Sequence, residues 1–146
     1  MNTAGSKIVY YARSIRGERD SEADVINRAI WTAIRTEGMI PAIDLPVTVL
    51  KSFAGTSDQY IYARDLDWLN LSQLFIAEVS NASTGVGVEF AYAAWRLNLP
   101  ILAVARKDAS VSAMITGGFG VLRYESVEEV VSLVSIWLKQ WKERAF

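Results

Sequence analysis

Apolar residues recur along this chain in two rhythms. Residues 7–12, 74–79 and 101–105 are short, nearly unbroken apolar runs. Residues 121–124 form a fourth, shorter run. Such runs are the pattern of strands covered on both faces. Between them the spacing turns helical. After Ser21 and Asp24, an N-cap and a first-turn acid, Ile26, Ala29, Ile30, Ala33 and Ile34 form one apolar stripe, and Gly38 supplies a C-terminal cap. Residues 58–71 predict a second helix, with Ile61, Leu66 or Asp65, Trp68 and Leu69 on a buried face. A third helix follows Glu89 and ends at Asn98 and Pro100. A last one opens on the capping box Ser126/Glu129 and buries Val127, Val130, Val134, Trp137, Leu138 and Trp141. Pro41 and Pro46 break residues 39–50, which predicts a short edge strand there, and residues 54–57 read as a loop. Strands alternating with helices imply an α/β fold: a single domain over residues 1–146, a flavodoxin/Rossmann-like three-layer sandwich with a five-stranded, mostly parallel sheet.

Composition removes several classes of function. The chain has 146 residues, enough for one domain with a sizeable core, and a net charge of −1 from 15 basic and 16 acidic residues spread throughout. Neither nucleic acid nor a membrane surface is an expected partner. There is no apolar run of the roughly 20 residues needed to cross a bilayer and no signal-like segment before the first strand, so a cytoplasmic location is expected. Cysteine and histidine are both absent. That rules out thiolate nucleophiles, thiolate zinc sites and imidazole bases, and with them the Ser-His-Asp triad. Chemistry must run on carboxylates, tyrosines, hydroxyls, arginines and backbone dipoles. No metal and no cofactor is expected.

The segment that matters most is Ser83-Thr84-Gly85-Val86-Gly87-Val88-Glu89, between the strand at 74–79 and the helix that follows. Open α/β sheets bind ligands at this edge. Gly85 and Gly87 let backbone approach a bound group, and helix N–H groups favour an anion. The glycines match only part of the G-x-G-x-x-G fingerprint, because Phe90 fills the third position, so a dinucleotide reading is poor. Three other segments reach the same edge: Tyr10 to Gly17, Arg64 to Leu69, and Ser110 to Met114. Singly, each has a structural explanation: a solvated turn at Ser14-Ile15-Arg16-Gly17, a polar helix face at Asp65, a paired Glu78. Jointly, an arginine, hydroxyls and helix N–H groups make a phosphate site. A glutamate, an aspartate and a tyrosine beside it suit glycosidic chemistry, in which one carboxylate attacks C1′ and another group handles the leaving-group proton.

These segments resemble, in order and wording, the 2′-deoxynucleoside 5′-monophosphate N-glycosidases within the nucleoside 2-deoxyribosyltransferase family. The resemblance covers about residues 7 to 125. It rests on Tyr10, Ser14-Ile15-Arg16-Gly17, Asp65-Leu66 with Trp68-Leu69, Ala77-Glu78-Val79, Ser83 with Gly85-Val86-Gly87 and Glu89, and Ser112-Ala113-Met114-Ile115. It implies Glu89 as a nucleophile forming a covalent sugar-phosphate intermediate, Tyr10 orienting that carboxylate and Asp65 as acid/base. It also implies a 5′-phosphate held by Ser14, Arg16, Ser83 and the N–H groups after Gly85, and Met114 lining the base pocket. In the family the serine matching Ser112 comes from the neighbouring subunit, so a homodimer is expected. Arg13 departs from the small glycine usual there, and Val88 from a tyrosine in the mammalian member. A transferase handing the sugar to a second base, and a non-catalytic nucleotide sensor, remain as alternatives.

Overall fold

The structure, a computed structural model, describes residues 5–14, 21–47 and 57–144. Ile15, Arg16 and Gly17 lie outside the described residues, as does most of the loop expected at 54–57. Five parallel strands, β1 (Ile8–Ala12), β2 (Ile40–Pro41), β3 (Leu74–Glu78), β4 (Ile101–Arg106) and β5 (Leu122–Tyr124), form one sheet in the order β2-β1-β3-β4-β5. The helices are α1 (Ser21–Thr36), α2 (Asp58–Leu71), α3 (Thr84–Ala91), α4 (Ala113–Gly118) and α5 (Val127–Lys142), with a single 3₁₀ turn at Ala42–Asp44. The flavodoxin-like order is the one expected. The edge strand is cut to two residues by Pro41, whose missing N–H cannot extend a ladder.

Strand alternation sorts the core into two layers. Val9 and Tyr11 of β1, with Leu74 and Ile76 of β3, face α1 and α5 through Ile26, Ile30, Ile34, Val130, Val134 and Leu138. Tyr10 and Ala12, with Phe75 and Ala77, face α2 and α3 through Trp68, Leu69, Val86 and Phe90. Side chains on that second face of the sheet include Ala12, Ala77, Ala103 and Ala105. This is also the face on which the tyrosine of β1 meets the helix carrying Glu89.

Local signals fix the helix ends. Gly38 takes φ +74° behind α1, where its N–H bonds the Arg35 carbonyl at 3.0 Å and that of Met39 the Ile34 carbonyl at 3.2 Å. Ser57, Ser83, Ser112 and Ser126 cap α2, α3, α4 and α5 through their hydroxyl oxygens. The Glu129 carboxylate accepts from the N–H of Glu125, one residue earlier than an ideal capping box has it. Past Ala91 the helix widens into a π turn at Tyr92–Arg96, and the chain leaves it through Asn98 at φ 52°.

Two expectations needed correction. Ile61 is exposed: α2 buries only Trp68 and Leu69 fully, because contact with the sheet is confined to its C-terminal half. α4 was not foreseen, since Ala113–Gly118 ends in two glycines and buries no residue completely. The contrast gives a stability prediction. Ile30→Ala, at a site with no exposure, should cost about 2–5 kcal/mol in urea unfolding, whereas Ile61→Ala should stay within about 0.5 kcal/mol of the parent.

Candidate active site

In this topology β1 and β3 are neighbours whose connections leave toward opposite faces, and ligands bind at the C-terminal edge of such a switch point. The pocket there brings together Tyr10 from β1, Asp65 from α2 and Glu89 from the second turn of α3. Arg13, Trp31 and Arg64 complete its polar and aromatic wall. Each position has a local cause. Tyr10 points to the α2/α3 face by strand alternation and stacks on Phe75 with centroids 5.8 Å apart. Glu89 is placed by the burial of Val86 and Phe90, three residues before it and one after.

Electrostatics set these carboxylates apart from ordinary surface acids. Burial, and then the negative charge of Asp65, push the Glu89 carboxyl up to about 7; a hydrogen bond with the Tyr10 hydroxyl and the charges of Arg64 and Arg13 oppose that rise. The Tyr10 hydroxyl is itself held far above its ordinary value by burial and by Glu89, so it stays protonated and donates. Asp65 is gripped by its neighbour: Arg64 Nε donates to Oδ1 at 2.9 Å, and the guanidinium lies 4.7 Å from the Trp68 ring centre. One carboxylate poised to change charge near neutral pH, beside a second clamped by an arginine, is an arrangement that acid/base or nucleophilic chemistry uses.

The other expected site residues lie elsewhere. Ser83, Gly87, Ser112 and Met114 line a separate apolar cavity on the far flank of α3, with Trp95 and Phe119. Met114 is 70% exposed and Trp95 65%. The Ser83 and Ser112 oxygens accept from Val86 N and Met114 N, both at 3.2 Å, which leaves each hydroxyl proton free to donate. A Cβ at Gly87 would meet nothing within 4 Å, and one at Gly85 only the Ser83 hydroxyl at 3.9 Å. Internal packing therefore does not require either glycine. Ser14 borders a third recess, where Glu78 accepts from the Ser80 N–H and from the Tyr124 hydroxyl. Glu78 is thus a structural carboxylate. Trp31 was not among the expected site residues, and Arg13 and Arg64 entered only as members of the segments Tyr10 to Gly17 and Arg64 to Leu69. Tertiary placement brings the three together. Among the described residues no cluster of three or more metal-ligating side chains occurs, and no helix is long and apolar enough to cross a membrane.

A half-buried glutamate beside a tyrosine thus sits at the C-terminal edge of a Rossmann-like parallel sheet. Among solved structures the CMP N-glycosidase BcmB of Clostridium botulinum superposes with a TM-score of 0.67 at 18% identity, over 90% of this chain and 99% of that one. A 2-deoxyribosyltransferase of Bacillus psychrosaccharolyticus gives 0.60 at 14% identity, over 85% and 90%. In sequence, 5-hydroxymethyl-dUMP N-hydrolase of Rattus norvegicus is 34% identical over 122 residues, 80% of this chain and 73% of that protein. A stretch of 77 residues is 46% identical to a Syntrophotalea carbinolica protein described as "Putative 2'-deoxynucleoside 5'-phosphate N-hydrolase 1", a match spanning 50% of this chain and about half, 54%, of that protein. No protein-family model matches the chain. The chain belongs to the 2′-deoxynucleoside 5′-phosphate N-hydrolase family.

The Glu89 environment predicts a pH-dependent stability difference. Its folded value of about 7 lies above the ordinary 4.5, so the native state keeps a proton that the unfolded chain releases between those pH values. Native stability is therefore lost as pH rises through that window. Glu89→Gln removes the penalty and should raise stability by about 2 kcal/mol at pH 8, with the gain gone at pH 4.5. Thermal melts of both proteins across this range check it. A gain independent of pH would contradict it.

Proposed function

We propose that this protein hydrolyses the N-glycosidic bond of 2′-deoxynucleoside 5′-monophosphates, releasing free base and 2-deoxyribose 5-phosphate. The observation that carries the reading is the half-buried Glu89 carboxylate, which shares one pocket with the Tyr10 hydroxyl and Asp65. A Glu89 oxygen attacks C1′ as the C1′–N bond breaks. The departing base takes a proton from a water held at the Arg64-paired Asp65 carboxylate, and an ester joins sugar and enzyme. A second water then attacks C1′ as Asp65 takes its proton and passes it to the hydroxide left by the first step, which frees the Glu89 carboxylate. Tyr10 holds Glu89 in position in both steps. A substrate lacking the 2′-hydroxyl suits this chemistry, because the oxocarbenium-like transition state is less destabilised and C1′ is open to the carboxylate. A small-molecule nucleotide substrate agrees with the activities for which the relatives are named.

The 5′-phosphate falls to Ser14, Ile15, Arg16 and Gly17 after β1, together with Ser83 and the α3 N-terminus around Gly85 and Gly87, which offers N–H donors to an anion. Ser112 and Met114 do not line the Glu89 pocket of their own chain. Their exposure beside Trp95 supports a homodimer in which each copy supplies them to its neighbour's site.

Because the nucleophile must be ionised, kcat/KM for a deoxynucleotide should rise with pH, reach half its plateau near pH 7 and level above it. Glu89→Gln should lose at least about a thousandfold in turnover, read as free base by chromatography, while still binding nucleotide. Unchanged turnover would leave Glu89 outside the chemistry.

Dimer assembly has its own test. Glu89→Ala and Ser112→Asp, each inactive alone, should complement when refolded together. Random pairing makes about half the dimers mixed, each with one intact site, so about a quarter of parental activity should return. No recovery despite demonstrated exchange would place Ser112 in its own chain's site or away from the chemistry.

A further inference from the structure

Arg13 lines the Glu89 pocket with N–H donors that no described residue accepts from. It is half-buried at the end of β1, and its guanidinium lies 4.8 Å from the Trp31 ring centre. Among the described residues it forms no hydrogen bond and no ion pair. Arg64, across the pocket, is by contrast committed to Asp65. Stacking on the indole preorganises the planar fork without using any of its five N–H donors. An arginine held in place with its donors unspent is built to meet acceptors on a ligand.

Position indicates which part of the ligand. Arg13 lines the pocket of Glu89 and Asp65, where C1′ and the base must lie, and also borders the recess of Ser14. Ser83 and Gly87, at the anion-binding start of α3, line a different cavity. The wall beside Arg13 is Trp31, Ala42 and Ile43, an apolar surface that suits a planar ring better than a phosphate. Arginine donates and never accepts. A ring edge carrying adjacent acceptors, such as N7 and O6 of a 6-oxopurine, satisfies its fork. A 6-aminopurine sets an amino donor against it and leaves both unpaired. The same contrast separates the O4 of a 4-oxopyrimidine from the amino group of a 4-aminopyrimidine.

We infer that the Arg13–Trp31 stack is a specificity determinant that selects deoxynucleotides whose base presents oxo acceptors over their amino counterparts. This rests on the hydrolase reading above and adds the base class to it. The test measures kcat/KM for dGMP against dAMP, and for dUMP against dCMP, in the parent, Arg13→Ala and Arg13→Lys. The parent should favour the oxo member of each pair by roughly ten- to a hundredfold. Arg13→Ala should lose most of that ratio by slowing the oxo substrates much more than the amino ones, over and above the loss common to all four that follows from removing a positive charge near Glu89. Arg13→Lys keeps stem and charge but not the fork, so it should restore only a small part, and it decides the matter if the alanine variant does not fold. Trp31→Leu removes the platform and should reduce the ratio in between.

Equal losses on all four substrates would overturn the inference. So would a parental preference for amino bases, or a loss that appears only when the 5′-phosphate is present. Equilibrium binding of GMP and AMP reads the same contact without turnover: the parent should hold GMP at least tenfold tighter, and Arg13→Ala should hold the two alike. If no deoxynucleotide releases base, the hydrolase reading fails, and this binding comparison still decides the role of Arg13.

Discussion

The site depends on one interaction, that of the buried Tyr10 hydroxyl with the half-buried Glu89 carboxylate. A carboxylate withdrawn from water costs several kcal/mol unless donors replace its hydration. Here a single phenol does so, on a side chain that the pleat of β1 aims at α3 and that stacking on Phe75 holds in place. Replacement is incomplete, and the shortfall appears as the raised Glu89 proton affinity. The fold tolerates this because the rest of the α2/α3 layer is well packed, from Phe75 and Phe90 to the fully buried Leu69. The two faces of the sheet thus divide the work. The α1/α5 face carries most of the large aliphatic residues of the core, and the α2/α3 face carries the reacting groups.

Two arginines and two tryptophans shape what surrounds Glu89. Arg64 lies against Trp68 and clamps Asp65, so the second carboxylate is held by a planar fork on a rigid helix. Arg13 lies against Trp31 from the other side. Both arginines oppose the rise of the Glu89 carboxyl, which keeps it within reach of ionisation at neutral pH. Arg16, the arginine of the expected phosphate site, lies outside the described residues.

Much of this was legible in the sequence, for identifiable reasons. Continuous apolar runs marked β3 and β4, because strands buried on both faces cannot carry polar side chains. Caps marked the C-terminal end of α1 at Gly38 and the start of α5 at Ser126, and the strand order followed from the alternation of strands and helices. Glu89 could be singled out because a chain without histidine or cysteine leaves few groups able to react, while the roles expected of Asp65 and Tyr10 came with the family resemblance. What was not legible depended on tertiary contact. The exposure of Ile61 follows from how little of α2 touches the sheet, α4 has no apolar stripe to announce it, and the stacking of Arg13 on Trp31 joins residues 18 positions apart. Nor could spacing alone show that α3 directs Glu89 into one pocket while Ser83 and Gly87 line another.

The central claim is that Glu89 itself bonds to the sugar. A 2-fluorinated deoxynucleotide analogue slows both steps by destabilising positive charge at C1′, so an intermediate should accumulate long enough to be trapped by acid quench. Peptide mass spectrometry of the quenched protein should then find one fluorinated sugar phosphate per chain, esterified to Glu89. A label on Asp65 or Glu78, or continued turnover of the analogue with no covalent adduct under any quench, would contradict the account.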